Sequence, residues 1–201
     1  MEGTRMAFVL PEGLAPEVYP LAWLVGHWSG QGVVGYPNVE ETAFVQDVVF
    51  DHDGGPYLSY TSTIRLVVAP DDASALDETA SDEQGAPAAQ DGPVWSTESG
   101  YWRVPPERPE GLADEQFPVE VLLADPSGHV AVYVGAVGNG RVDLASDVIA
   151  RTASGADVSA ATRLYGLVNG ELMWAQDLAA FGQQMQSYAS ARLARVEDAA
   201  S

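Results

Sequence analysis

Apolar and polar positions alternate along most of this chain, in runs of about ten residues bounded by Gly, Pro, Asn or Asp. A period of two marks a β-strand with one buried face. Ten such runs are predicted as strands: 27–37, 41–52, 56–68, 93–104, 117–125, 128–137, 141–151, 157–168, 170–179 and 184–196. All carry β-branched or aromatic residues, which suit a pleated sheet. Several connections are tight: Asp53-Gly54-Gly55, Pro126-Ser127-Gly128, Gly138-Asn139-Gly140 and Asn169-Gly170. Gly and Asn adopt positive φ at little cost, so these read as hairpin turns. Consecutive hairpins make neighbouring strands antiparallel. Ten strands in up-and-down order, with no crossover helix between them, close best as a barrel, and closure removes the exposed sheet edges. The expected class is all-β, a closed ten-stranded antiparallel up-and-down barrel.

The alternation is imperfect in an informative way. In Glu171 to Leu178 the apolar Leu172, Trp174 and Leu178 share a face with Gln176, while Glu171 and Asp177 take the other. From Val130 to Val137 both faces are apolar or small. Such a pattern fits a barrel with a cavity inside and a partly covered outer wall.

Outside the strands, residues 1–13 read as a loose leader and 14–198 as one domain. Ala15 to Val25 suits a short N-terminal helix of a turn or two, with Pro20 arguing against one long helix across it. Pro70 to Pro93 holds seven acidic residues, no basic one and no β pattern, so 70–93 is expected to be a flexible acidic insertion. A Pro-rich loop, 105–118, is a second and shorter interruption.

Charge narrows the choice of partners. The chain has 201 residues, 29 acidic and 9 basic, for a net charge of −20, and every basic residue is arginine. Such a surface repels phosphate backbones and anionic lipids, so neither nucleic acid nor membrane is expected as a partner. No cysteine is present, which excludes disulfides, thiolate nucleophiles and sulfur-based zinc sites. No apolar run approaches the length needed to span a bilayer and no secretory leader is visible, so a cytoplasmic location is expected. There is no P-loop, no G-x-S-x-G and no carboxylate pair at a telling spacing, so the catalytic residues are unknown.

One motif concentrates the chemistry. Leu21 to Gly32 contains G-x-W-x-G-x-G, with Gly26, Trp28, Gly30 and Gly32 on one face of a strand. One large ring on a row without side chains permits sharp curvature and the close approach of another element or a ligand. Trp28 would plug one part of the barrel while the glycines open another; a core Trp with glycines at a bend is the plainer alternative.

With this motif in place, the chain resembles the nitrobindin family, the haem barrels related in form to fatty-acid-binding proteins. Further matches are Gly35-Tyr36-Pro37, Phe50 to Tyr60, Glu98 to Arg103, Arg163-Leu164-Tyr165-Gly166 and Ser190 to Val196. The resemblance implies a barrel that holds haem b, isomerises peroxynitrite to nitrate in its ferric form and binds nitric oxide. It also implies a proximal histidine in the last strand and a threonine after the Tyr-Pro pair. Here Tyr188 stands at the histidine position and Asn38 at the threonine position. Both haem-contact positions are thus substituted while the scaffold motifs persist.

Three histidines exist, His27, His52 and His129, and none is spaced with another as a metal site, so no metal is expected. Tyr188 could ligate ferric iron, but a phenol must first lose its proton, and Arg192 is about 13 Å further along an extended strand. The expected function is therefore a nitrobindin-like barrel without the proximal haem histidine, acting as a binding module for an apolar small molecule. No cofactor is expected on that reading. The alternative is a haem b-binding peroxynitrite isomerase or nitric-oxide-binding protein with altered axial ligation. Arg163 and Arg192 are the candidate polar groups of the cavity, through bidentate binding of a carboxylate; either can equally face solvent.

Overall fold

The structure is a computed structural model and describes residues 10–37, 39–68 and 90–196. A 3₁₀ helix, Pro16–Leu24, precedes ten strands: β1 (Gly26–Tyr36), β2 (Val39–Asp51), β3 (Leu58–Val68), β4 (Gln90–Arg103), β5 (Phe117–Asp125), β6 (His129–Gly138), β7 (Arg141–Arg151), β8 (Val158–Val168), β9 (Glu171–Ala180) and β10 (Gln186–Arg195). Each strand pairs antiparallel with its sequence neighbours, and β10 returns to β1, where Trp28 faces Arg195 and Gly32 faces Ala191. The expected closed ten-stranded barrel is the fold found.

Local differences have local causes. The helix runs through Pro20 as a nine-residue 3₁₀ segment. Burial explains it: Val18, Leu21, Ala22 and Leu24 all pack into the core. Tertiary packing here overrides a weak local preference. β4 begins at Gln90, three residues before the expected start at 93, and takes in Pro93. Its ladder with β3 slips there: Ile64 faces Ser96, Arg65 faces Val94 and Val67 faces Asp91. A bulge is where a strand tolerates a residue without an N–H. The loop before β5 is tied by Arg108, whose guanidinium donates to the carbonyls of Leu112 (3.0 Å), Ala113 and Gln116 (2.7 Å). Asn38, residues 70–89 of the expected acidic insertion and most of the expected leader lie outside the described residues. On the outer wall Val130, Val134 and Leu122 stand exposed, where partial cover was expected.

The two ends of the barrel differ. Because successive strands run in opposite directions, the start of β1, the end of β2, the start of β3 and the end of β4 meet at one end. They bring Trp28, Phe50, Leu58 and Trp102 together, all almost fully buried, beneath Leu21 and Leu24 of the helix. That end is solid. A ladder of rings then crosses the middle: Phe50 on Tyr60 (5.0 Å between centroids), Phe50 on Trp102 (5.3 Å), Trp102 on Tyr165 (5.2 Å), Tyr165 on Trp174 (6.4 Å) and Trp174 on Phe44 (6.3 Å). Edge-on and tilted arrangements at these separations are favourable.

The glycine row of β1 lies on the inner face, as expected, but it holds no open space. A methyl group at Gly30 would strike the carbonyl oxygen of Arg192 and, at 2.8 Å, Cα of Leu193; at Gly32 it would strike Phe44, the Ser190 carbonyl and Ala191. The missing side chains let β10 press against β1 at the seam. Gly30→Ala should therefore cost about 1–3 kcal/mol, because a backbone rather than a pliable side chain must give way. A urea melt would show it as a lower midpoint; an unchanged midpoint would mean that the seam can relax.

Candidate functional site

At the end opposite the helix the interior is not filled. A cavity of about 320 Å³ opens among Val34, Tyr36, Gln46, Tyr60, Ser62, Trp95, Glu98, His129, Tyr133, Arg163, Tyr165, Trp174, Gln176, Phe181 and Tyr188. The inward face of β9 puts Trp174, Gln176 and Leu178 there, which is the alternation read from the sequence.

Tyr188 reaches the cavity through an irregularity. On β10, Ser187 faces Asp177 and Ala189 faces Gln176, so Tyr188 is an extra residue without a partner on β9. The bulge lets two consecutive residues, Tyr188 and Ala189, line one cavity, which strict alternation forbids. The Tyr188 hydroxyl accepts a hydrogen bond from Trp95 Nε1 at 3.1 Å, and its ring meets Tyr36 edge-on at 6.1 Å. Tyr36 is itself fixed: its single hydroxyl proton is shared between the Leu178 and Ala180 carbonyls (3.2 and 3.4 Å), and its oxygen accepts from the Ala180 N–H (3.0 Å).

The floor of the cavity is polar. Arg163 on β8 and Glu98 on β4 form a two-pronged ion pair, with Nη1 to Oε2 at 2.7 Å and Nη2 to Oε1 at 2.6 Å. Arg163 is only 7% exposed. Its guanidinium also lies 5.1 Å from the centre of the Tyr133 ring and 3.4 Å from the Tyr165 hydroxyl. Its Nε is buried without a hydrogen-bond partner among the described residues. Burial alone would lower the Arg163 pKa, but the Glu98 carboxylate and the Tyr133 and Tyr165 hydroxyls together outweigh that and hold it well above the usual arginine value. Beside this pair, Trp174 Nε1 donates to Gln46 Oε1 at 2.7 Å and Gln46 Nε2 donates to Ser62 at 2.9 Å. Arg192, the other expected cavity arginine, is on the outer wall bound to Glu171 and does not line the cavity. Glu98, Gln46 and Tyr133 were not singled out from the sequence. The one available signal was Glu98 sitting three residues before Tyr101 within a matched motif, and it did not indicate direction.

Burial raises the pKa of Tyr60, Tyr165 and Tyr188, most strongly for Tyr60. A group whose folded pKa lies above its unfolded value holds its stabilising effect below the unfolded value and loses it as pH rises. On the alkaline side the barrel should therefore weaken above about pH 10, the ordinary tyrosine value. Alkaline titration followed by tyrosinate absorbance should show these three ionising late and together with unfolding. Early, reversible ionisation of all eight tyrosines would contradict their burial.

Comparison with known proteins fits this geometry. Residues 17–195 match the model of the THAP4-like, heme-binding beta-barrel domain. The chain belongs to the nitrobindin family. The ferric nitrobindin-like protein of Beutenbergia cavernae is 48% identical, over 95% of this chain and 100% of its own length. That of Kineococcus radiotolerans is 42% identical, over 95% and 99%. The peroxynitrite isomerase of Clavibacter sepedonicus is 37% identical, over 94% and 98%. The crystal structure of Rv2717c from M. tuberculosis matches with a TM-score of 0.68 at 29% identity, over 92% of this chain and 99% of that one.

For a nitrobindin barrel the histidines matter most. His27 lies on the outer wall with Nε2 3.1 Å from Asp47. His52 is beyond β2, in the turn toward β3, and does not line the cavity. His129 does line it, yet both its nitrogens are engaged: Nε2 is 2.9 Å from the Ala156 carbonyl, and Nδ1 is 3.2 Å from the Ser127 hydroxyl and 3.3 Å from Asp125. A carbonyl oxygen only accepts, so Nε2 carries the proton and has no lone pair to give. Among the described residues no group of three or more His, Asp and Glu side chains is placed to hold a metal ion. Among them also, no helix is long and apolar enough to cross a membrane.

Proposed function

We propose that this barrel is a small-molecule binding module of the nitrobindin family that has lost histidine-ligated haem. The observation that carries the reading is the cavity wall. Tyr188 occupies the position at which the family resemblance implies the proximal histidine, and the one histidine in the wall has both nitrogens engaged. A histidine-ligated haem does not fit that donor set. Tyr188 is a poor substitute, since burial raises its pKa and so opposes the phenolate that ferric iron needs. What remains is an aromatic cavity with a polar floor, the usual form of a site for a small organic ligand.

The second reading is a haem b-binding peroxynitrite isomerase or nitric-oxide-binding protein with altered axial ligation. Membership of a family described as heme-binding, together with relatives named peroxynitrite isomerase, favours it. Titration with ferric haem separates the two. The wild type should give weak binding or a tyrosinate-type spectrum, and Tyr188→His should gain a histidine-type Soret band and at least about tenfold in affinity, equivalent to about 1.4 kcal/mol. Tight histidine-ligated binding by the wild type would sink the first reading.

A further inference from the structure

The ion pair on the cavity floor decides what charge a ligand can carry. Among the described residues Arg163 is the only arginine lining the cavity, and Glu98 already occupies both of its Nη prongs. Asp125 adds a second carboxylate to the wall. That carboxylate is engaged in turn, 3.3 Å from His129 Nδ1, so among the described residues no unpaired cation faces the space, inside a chain of net charge −20. A carboxylate or sulfonate entering here would meet Glu98 at short range in a poorly solvated space, with no free cation to receive it.

What the floor lacks is an acceptor. Arg163 Nε is buried and has no partner among the described residues. Leaving such an N–H unpaired is costly, and a ligand oxygen could satisfy it without bringing charge. Around it stand the faces and edges of Tyr36, Tyr60, Tyr133, Tyr165, Trp174 and Tyr188. Rings of this number suit a flat aromatic partner.

We infer that the cavity selects uncharged aromatic molecules bearing a carbonyl-type acceptor and rejects organic anions, fatty acids included, because Glu98 neutralises the only guanidinium available. This rests on the reading of the barrel as a small-molecule binding module. It also changes the role expected of Arg163: the residue holds a neutral acceptor, and carboxylate recognition is blocked by its own partner.

Three molecules of one shape make the test: acetylnaphthalene, naphthoate and ethylnaphthalene, substituted at the same ring position and titrated calorimetrically into the full chain. The ketone should bind on the order of a hundredfold more tightly than the carboxylate. It should bind about tenfold more tightly than the hydrocarbon, which offers no acceptor. Glu98→Gln should release Arg163 and raise naphthoate affinity at least about tenfold. Glu171→Gln makes the same charge change on the outer wall and should leave all three affinities unchanged. Naphthoate binding as tightly as the ketone, or no gain of naphthoate binding in folded Glu98→Gln, overturns the inference and leaves the binding module standing. If Glu98→Gln does not fold, the wild-type ratio of ketone to carboxylate decides alone. If none of the three binds, the binding-module reading falls and takes the inference with it.

Discussion

Glu98→Ala should destabilise the barrel by about 3–5 kcal/mol, among the largest effects of any single polar substitution in this chain. The carboxylate is the partner of a guanidinium that is only 7% exposed. Removing it leaves a full positive charge in a cavity floor made of tyrosine and tryptophan rings, with no other carboxylate among the described residues in hydrogen-bond contact with that guanidinium. Arg163 cannot escape by losing its proton, because a guanidinium stays charged even when buried. The loss is a penalty for stranding a charge and does not measure the net worth of the pair. Replacing both partners separates the two quantities. Glu98→Leu with Arg163→Met removes both charges and keeps apolar bulk, and it should recover most of the stability. Urea unfolding of the single and double variants closes the cycle. A double variant as unstable as Glu98→Ala would show that the pair itself, rather than the orphaned charge, supports the fold.

How much of this was legible in the sequence depends on how each feature is encoded. The strands were legible because period-two patterning and Gly- or Asn-bearing turns are local signals. Asn139 and Asn169 do sit at positive φ in their turns, followed by Gly140 and Gly170. The meeting of β1 and β10 was legible as the closure that ten up-and-down strands need to lose their exposed edges, but its register was not, since no local signal pairs residues some 160 positions apart. β4 defeated local reading at its start, because Pro93 looks like a strand breaker until the bulge opposite is known.

The site was half legible. Trp174 and Gln176 on one face followed from alternation. The direction of Tyr188 did not, because a bulge of one residue reverses the facing of a side chain and leaves no trace in composition. Arg163 and Arg192 looked equivalent as arginines on strands. They differ because 163 falls on the inner face of β8 opposite Glu98, whereas 192 falls on the outer face of β10 beside Glu171. Only three-dimensional register distinguishes an arginine that faces a cavity from one that faces solvent.

Trp28→Ala should cost a further class of stability, about 3–5 kcal/mol, and should do so without touching the ligand site. Trp28 is fully buried at the solid end, where its Nε1 donates to the Leu24 carbonyl at 2.7 Å. That bond ties the last turn of the 3₁₀ helix to the first strand. Arg195 lies over the same ring at 4.1 Å and donates to the carbonyls of Trp23 (3.0 Å) and Val25, so helix, β1 and β10 converge on one indole. Alanine would remove the ring, open a void under the helix and strand the Leu24 carbonyl. Trp28→Phe keeps much of the bulk but loses the donor, and it should cost about 1–3 kcal/mol, the range for a buried acceptor left unpaired. Because the cavity is lined by the opposite ends of the strands and Trp28 is not among its walls, the folded Trp28→Phe protein should bind small molecules as the wild type does. Calorimetric titration beside a urea melt tests both halves. Binding that falls in step with stability would mean that the helix end and the open end act as one unit, and the division of the barrel into a solid base and a binding cup would then be wrong.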